Sequence, residues 1–371
     1  MSPILGGRGA GVRAYGFGGA AKPNAPTSVV ATDVGTSRAY NNGAASVAFS
    51  SGGDNGLPIT SYTVTSSPGS FTATGSSSPL TVTGLQSSVQ YTYTVTATNA
   101  IGTSSASSAS AGVTATTVPQ APTIGTATGG NASATVAYTA NATGGKTVST
   151  YTATSSGAQT GTGSSPITVS GLTNGTAYTF TVTATNANGT STASSASNSV
   201  TPAYAVGDTG PGGGYVFYDA GSTLSWGRYL EAAKSTASPS WTDAQYQWSG
   251  NTSSSVSTSD AIGSGMANTL AMVAQSSTAN RAGTVCRAYT GGGYSSSTTG
   301  WFLPSMNELD ALWPNRVAAG MRTGVGTDSY YWTSSQSAYW ANEALMIYFN
   351  NRGQSYLTKT STFYVRPIRA F

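Results

Sequence analysis

GLQSSVQYTYTVTATNAIGTS, residues 84–104, recurs almost letter for letter as GLTNGTAYTFTVTATNANGTS at 171–191. Upstream of each copy stands a matching stretch, ITSYTVTSS (59–67) and VSTYTATSS (148–156). In all four, apolar residues alternate with Thr or Ser, the period of a strand with one buried face, and turn residues bound them. Repeats of this size predict two small β-sandwiches in tandem, over 26–118 and 119–203, joined by the short, stiffened linker VPQAP (118–122). From Pro26 to Ala203 the only charged residues are Asp33, Arg38, Asp54 and Lys146. Regularly placed Val, Tyr, Leu and Ile argue against disorder, so hydroxyls must do the solubilising.

Within each copy Leu85 and Leu172 precede Tyr91 and Tyr178, and alternation then runs to Asn99-x-x-Gly102 and Asn186-x-x-Gly189. This resembles the fibronectin type III family, whose L-x-P-x-x-x-Y corner sets a Tyr hydroxyl back onto the backbone at the start of a late strand. The corner Pro and the early-strand Trp are absent, with Phe49 and Tyr138 standing in for the latter. Neither unit carries an RGD or a charge cluster, so both read as spacers rather than binders.

The rest of the chain has a different composition: all seven Trp lie after residue 225. A third domain is expected over 207–371, starting with the Gly-rich turn and strand GDTGPGGGYVFYDAG (207–221). Apolar spacing predicts helices over 226–234 and 262–274. In GWFLPSMNELDALW (300–313), Ser305 and Glu308 form a capping box, and Leu309, Leu312 and Trp313 make the stripe of the helix that follows. The terminal stretch YYWTSSQSAYWANEALMIYFNNRGQSYLTKTSTFYVRPIRAF (330–371) reads as hairpins. Ala344, Met346, Tyr348 and Asn350 face one side, Leu345, Ile347 and Phe349 the other, and NNRG (350–353) is the turn. Trp301 and Trp332 sit in apolar runs and belong to the core. Tyr339 and Trp340 precede a polar stretch and are free to pack over a sugar ring.

Enzymatic chemistry finds little support. There is no His, and the single Cys286 excludes an intrachain disulfide or a CxxC metal site. Cys286 reads as a small buried hydrophobe. Glu308 and Asp310 diverge on a helix, and Glu308 is better explained as the cap partner. Asp208, Asp219 and Asp243 form no dense calcium loop, so no metal or other cofactor is expected. The net charge of +4 is small and unclustered, which argues against nucleic acid. No apolar run is long enough to span a membrane, and MSPILGGRGAGVRAYGFGGAA lacks the apolar region of a secretory signal. Residues 1–25 read as a Gly-rich anchoring arm, with Arg8, Arg13, Tyr15 and Phe17 as the side chains that would grip a neighbouring protein.

GGGYVFY, a helix with Met266, Ala267 and Asn268, then AYTGGGY, GWFLPSMNELDALW, YYWTSSQ and YVRPIRAF resemble, in that order, the Lcl-type C-terminal domain of the C-type-lectin-like superfamily. The resemblance covers 207–371. It implies an α+β fold of the kind found at the ends of bacterial surface proteins and phage fibres, often behind immunoglobulin-like or fibronectin-like modules. By the same resemblance the last forty-odd residues correspond to a variable, ligand-facing segment. The contacts would then be Tyr339, Trp340, Asn342, Asn350, Asn351, Arg352, Tyr356 and Lys359. The expectation is a multidomain chain: an extended N-terminal arm, two all-β fibronectin III-like sandwiches and an α+β lectin-like head. Its expected function is that of a non-enzymatic bacteriophage virion protein, a tail fibre or capsid decoration, anchored to other virion proteins by its arm. The expected location is the particle surface after assembly in the cytoplasm, as a homo-oligomer, trimeric by analogy with fibres, touching a host-surface glycan or protein. A cement or decoration protein without a ligand, and a bacterial surface adhesin, are the alternatives.

Overall fold

A computed structural model describes residues 19–234, 241–293, 300–322 and 329–371. Arg8, Arg13, Tyr15 and Phe17 therefore lie outside the described residues. The chain forms two compact units, one holding the first sandwich and most of the second, and the other the C-terminal domain together with residues 129–133 and 173–176.

The first sandwich contains β1 (Thr27–Asp33), β2 (Gly43–Ser50), β3 (Ser61–Ser67), β4 (Thr72–Gly75), β5 (Leu80–Leu85), β6 (Gln90–Asn99), β7 (Gly102–Thr103) and β8 (Val113–Thr114). One sheet runs β1-β2-β5 and the other β4-β3-β6-β7, with β8 also on β6. Along β6, Tyr91, Tyr93, Val95 and Ala97 point into the core, where they meet Val47, Val64, Val82 and Leu85. The intervening threonines face outward, with Thr63 opposite Thr96 and Thr65 opposite Thr94. The corner closes without its proline: Tyr91 Oη accepts from Gln86 N at 3.0 Å.

The segment after β7 lies along β6 in a pattern that the alternation does not announce. Ser104, Ser107 and Ser110 donate their backbone N–H to the carbonyls of Ala97, Val95 and Tyr93. Their hydroxyls accept from the N–H groups of the same three residues at 2.9–3.1 Å. A three-residue serine spacing thus matches the two-residue spacing of a strand by using side chains as acceptors.

The second sandwich repeats the plan with β9 (Thr123–Gly130), β10 (Ser133–Thr139), β11 (Val148–Ser155), β12 (Thr160–Thr162), β13 (Ile167–Ser170), β14 (Phe180–Asn186) and β15 (Gly189–Thr190). Its sheets run β13-β10-β9 and β12-β11-β14-β15 around Val136, Ile167, Val169, Phe180 and Val182. Ser191, Ser194 and Ser197 rebuild the serine ladder on Ala184, Val182 and Phe180. Asn186 and Asn188 hold the residues that lead into the linker: Asn186 Nδ2 donates to Thr117 O at 2.9 Å, and Asn188 Nδ2 to Thr116 Oγ1 at 2.7 Å, while within the linker Val118 N bonds to Arg38 O and Gln120 N to Ala142 O. From the other side Asp33 accepts from the backbone and hydroxyl of Thr116. The linker is stiff because both sandwiches bond to it.

The C-terminal domain has a sheet of β16 (Tyr215–Leu224), β17 (Gly227–Ala232) and β23 (Ile368–Ala370), in the order β16-β17-β23. A second sheet contains β18 (Gln245–Gln247), β19 (Tyr330–Gln336), β20 (Glu343–Tyr348), β21 (Gly353–Thr358) and β22 (Thr362–Tyr364), in the order β18-β22-β19-β20-β21. Its helices are α1 (Gly265–Gln275), α2 (Ala282–Ala288) and α3 (Met306–Leu312). Both faces of the β19–β20 pair are covered. Tyr331, Leu345, Ile347 and Phe349 pack with Leu309 and Leu312, whereas Trp332, Ala344 and Met346 pack with Trp248, Trp301, Met272 and Cys286. Tyr348 is half-buried and Asn350 is exposed.

Where a helix over 226–234 is expected, Gly227–Ala232 is a strand. Tyr229, Leu230, Glu231 and Ala232 are all buried, so neither strand face shows a polar period and the apolar spacing mimics a helix. Glu231 anchors the strand: its carboxylate accepts from Gly212 N and Gly214 N at 2.9 Å and pairs with Arg369. Burial pushes this carboxyl above its usual range against the pull of Arg369. The 262–274 helix forms as α1, and the Ser305–Glu308 capping box forms on α3. Glu308 also accepts from Gly263 N and Gly265 N, fixing the start of α1 to the cap of α3.

Candidate ligand-binding site in the C-terminal domain

Ser337 directly follows β19 and sets the conformation of the loop it opens. Its N–H donates to Glu343 O at 3.1 Å, and its hydroxyl accepts from both Tyr339 N and Trp340 N at 3.2 Å. Glu343 N closes the turn on Trp340 O. With the amides of Ser337, Tyr339, Trp340 and Glu343 satisfied within it, the loop presents two large rings to solvent, Tyr339 79% and Trp340 63% exposed. Leaving two such rings uncovered forgoes burial that would otherwise stabilise the fold.

A polar cleft of about 330 Å³ opens beside this loop, lined by Ser255, Val256, Ser257, Thr258, Asp260 and residues 336–338. Its far wall lies outside the named helices and strands, yet its backbone is fixed at nearly every step. Lys359 Nζ donates to Ser254 O, Gln275 Nε2 to Ser255 O and Val256 N to Gln336 Oε1, all within 2.8–2.9 Å. Thr258 Oγ1 accepts from Gln336 N at 2.9 Å. Asn268 holds both the N–H and the carbonyl of Ser259, and Asn307 N reaches Asp260 O. The wall is a preorganised loop, whereas Ser255, Ser257 and Asp260 remain exposed. The Asp260 carboxylate has no hydrogen-bond or ion-pair partner among the described residues.

Lys359 was expected on the ligand face, and the structure corrects this. It is fully buried, lies over the Trp248 ring at 4.7 Å, and donates to Ser254 O and Gln336 Oε1 at 2.9 Å. Desolvation lowers its pKa to about 8. Lys359 is a strut under the cleft, because an ammonium among carbonyl acceptors can order a loop that carries no regular structure.

The other expected contacts fall into groups. Tyr339, Trp340 and Asn342 sit together before β20. Asn350, Asn351 and Arg352 lie at its opposite end, roughly 20 Å of strand away. There they shape the turn: Asn351 Oδ1 accepts from Gly353 N, Arg352 takes a φ of 64°, and its guanidinium makes a two-point pair with Asp310 at 2.6 and 2.7 Å. Tyr356, 44% exposed, lies midway along edge strand β21, opposite Leu345. The eight residues therefore do not converge on one site. The Ser255–Asp260 wall was missed; its sole signal was the density of hydroxyls in NTSSSVSTSDAIGSG (251–265).

Other candidates have structural occupations. Asp243 is bound by Arg366, Trp241 and Tyr331, Asp219 by Arg228, and Asp208 by Ala205 N. The hydrogen bond from Arg228 pulls the Asp219 carboxyl below its usual range. Cys286 is buried, and desolvation pushes its thiol well up. No group of three or more potential metal ligands occurs among the described residues. No helix is long and apolar enough to cross a membrane, among the described residues. A larger cleft of about 450 Å³ is lined mainly by Trp226, Met266, Leu270 and Phe302, with no charged residue among the described ones that line it.

Fold and site together define a chain of β-sandwich modules carrying a separate mixed domain with an open polar cleft. The fibronectin type III domain model matches residues 24–113, so the first sandwich is a module of that type. No curated protein matches the chain. Among solved structures, the crystal structure of chicken CNTN1 FN1-FN3 domains is similar at 18% identity, covering 61% of this chain and 79% of that one, with a TM-score of 0.31.

Proposed function

We propose that this chain is a non-enzymatic bacteriophage virion protein that presents its C-terminal domain for attachment to the host surface. In this reading that domain is an Lcl-type, C-type-lectin-like head, the sandwiches are spacers, and the Gly-rich arm anchors the protein to other virion proteins. The observation that carries the proposal is the exposed Tyr339–Trp340 pair, held outward by Ser337 instead of packing into the domain. Rigid aromatic faces beside hydroxyls and amides suit recognition of sugar rings. Single-site affinity on the order of millimolar, about −4 kcal/mol, would suffice for several copies acting together, for instance as a trimer.

The test is retention of fluorescently labelled full-length protein, clustered through a tag, on a panel of bacterial strains. Binding to some strains that falls at least tenfold in Tyr339→Ala/Trp340→Ala, with an unchanged melting temperature, supports attachment. Binding to no strain, or binding indifferent to the double substitution, overturns it.

One observation favours a structural decoration or cement protein instead. Strand β21 (GQSYLT) is an uncharged, proline-free sheet edge with five of its six residues exposed, open to pairing with another chain. Particles lacking residues 207–371 separate the readings: lost attachment favours recognition, and lost integrity favours cement.

A further inference from the structure

We infer that the Ser255–Asp260 cleft is a subsite for a neutral hexopyranose unit of a surface polysaccharide, with the Tyr339–Trp340 pair at its rim as the platform for the ring face. The inference rests on the attachment reading and specifies its ligand.

Three features of the cleft select the ligand. The first is its polar inventory. Ser255, Ser257 and Thr258 supply hydroxyls, and the Asp260 carboxylate can accept from two neighbouring sugar hydroxyls. Gln336 supplies donors: its Oε1 is held by Val256 N and Lys359 Nζ, which fixes the amide and leaves Nε2 for the cleft. Alternating donors and acceptors on a small concave surface match a polyol better than an apolar or aromatic guest.

The second feature is charge. Among the described residues lining the cleft, Asp260 alone is charged, and the ammonium of Lys359 is turned onto Ser254 O and Gln336 Oε1 beneath it. A uronic acid, sialic acid or phosphosugar would meet Asp260 without a lining cation to offset the repulsion. The third is rigidity. The wall is fixed through Ser254 O, Ser255 O, Val256 N, the Ser259 peptide groups and Asp260 O, so little ordering cost remains for a ligand. Ser337 joins the parts, since it lines the cleft and also accepts from Tyr339 N and Trp340 N.

The experiment is saturation-transfer NMR on the full-length chain with the methyl glycosides of glucose, galactose and mannose, and with glucuronic and sialic acids. The expected result is transfer to ring-face protons of at least one neutral glycoside and none to the acids. Asp260→Asn, which keeps size and loses charge, should weaken binding about tenfold, the order expected for charge-assisted hydrogen bonds. Ser257→Phe, which fills the cleft from an exposed position, should abolish it, with melting temperatures of both variants unchanged. Preference for an acidic sugar, or neutral-sugar binding that both variants retain, overturns the subsite even if cell attachment through Trp340 persists. If none of the sugars shows transfer while cells are still bound, the hexose assignment falls and attachment stands. If cells are not bound either, both readings fall together.

Discussion

Arg366 uses every N–H of its guanidinium. Two go to Asp243, at 2.8 and 2.6 Å, and the others to the carbonyls of Ala233, Ala319 and Gly320. It is 1% exposed and thereby ties three separate chain segments into the domain interior. Lysine has three donors and no fork, so Arg366→Lys should leave buried acceptors unmet and destabilise the protein by about 3–5 kcal/mol, read by urea denaturation. Lys359 presents the opposite case. Its pKa of about 8 lies below the ordinary 10.5 of lysine, because burial disfavours the charged form. Between those values the unfolded chain holds a proton that the folded chain has released, so stability gains from Lys359 as pH rises through the window. The neutral amine still has two N–H groups for its two acceptors. Wild type should therefore gain on Lys359→Met between pH 7 and pH 10 in parallel denaturation curves. A constant difference would mean that the ammonium is solvated after all.

Among the elements, the serine ladders explain how so polar a sequence closes its sandwiches. Ser107 Oγ accepts from Val95 N at 2.9 Å in the buried interior of the strand, so Ser107→Ala strands that N–H and should cost about 1–3 kcal/mol. Ser105 and Ser108, outside the ladder, should tolerate alanine within experimental error in the same thermal melts. The register of β21 makes a second, directional prediction. Lys359 N bonds to Asn342 O, so Leu357 is turned toward β20 whereas Tyr356 points its N–H outward. Leu357→Pro should thus destabilise more than Tyr356→Pro, by about 1 kcal/mol or more, despite the greater bulk of tyrosine. The sandwich strands were legible because one face is buried and the other wet, which prints a period of two. Residues 226–234 were not, because burial on both faces erases that period and leaves a spacing a helix also satisfies. Lys359 was misplaced for a related reason, since a charge in a polar run reads as solvated unless the distant acceptors Ser254 and Gln336 are known. The cleft wall has no pattern of its own because it is fixed by distant side chains, Asn268 and Gln275 on α1, Gln336 on β19 and Lys359 just after β21.

At the scale of the whole chain, each core closes within its own stretch of sequence. The two sandwich cores draw on residues up to Val200, and the two C-terminal cores on residues from Tyr215 onward. Among the described residues no buried cluster draws on both compact units, so fragments 19–203 and 204–371 should each give a cooperative thermal transition by circular dichroism. Failure of either to fold would show that the units depend on one another. Within the first unit the expectation differs, because Thr116, Thr117 and Val118 are bonded to Asp33, Arg38, Asn186 and Asn188 from the two sides. These junction bonds couple sandwiches whose cores are separate, and coupling of this kind appears as merged unfolding. Asn188→Ala removes the bonds to Thr116 Oγ1 and Thr117 O while leaving both cores untouched. It should split one calorimetric transition of fragment 19–203 into two, the second sandwich melting first because its partly buried Tyr138 replaces the buried Phe49 of the first. A single unchanged transition would mean that the Asn188 bonds are not what couples the two sandwiches, and that the remaining junction bonds of Asp33, Arg38 and Asn186 suffice.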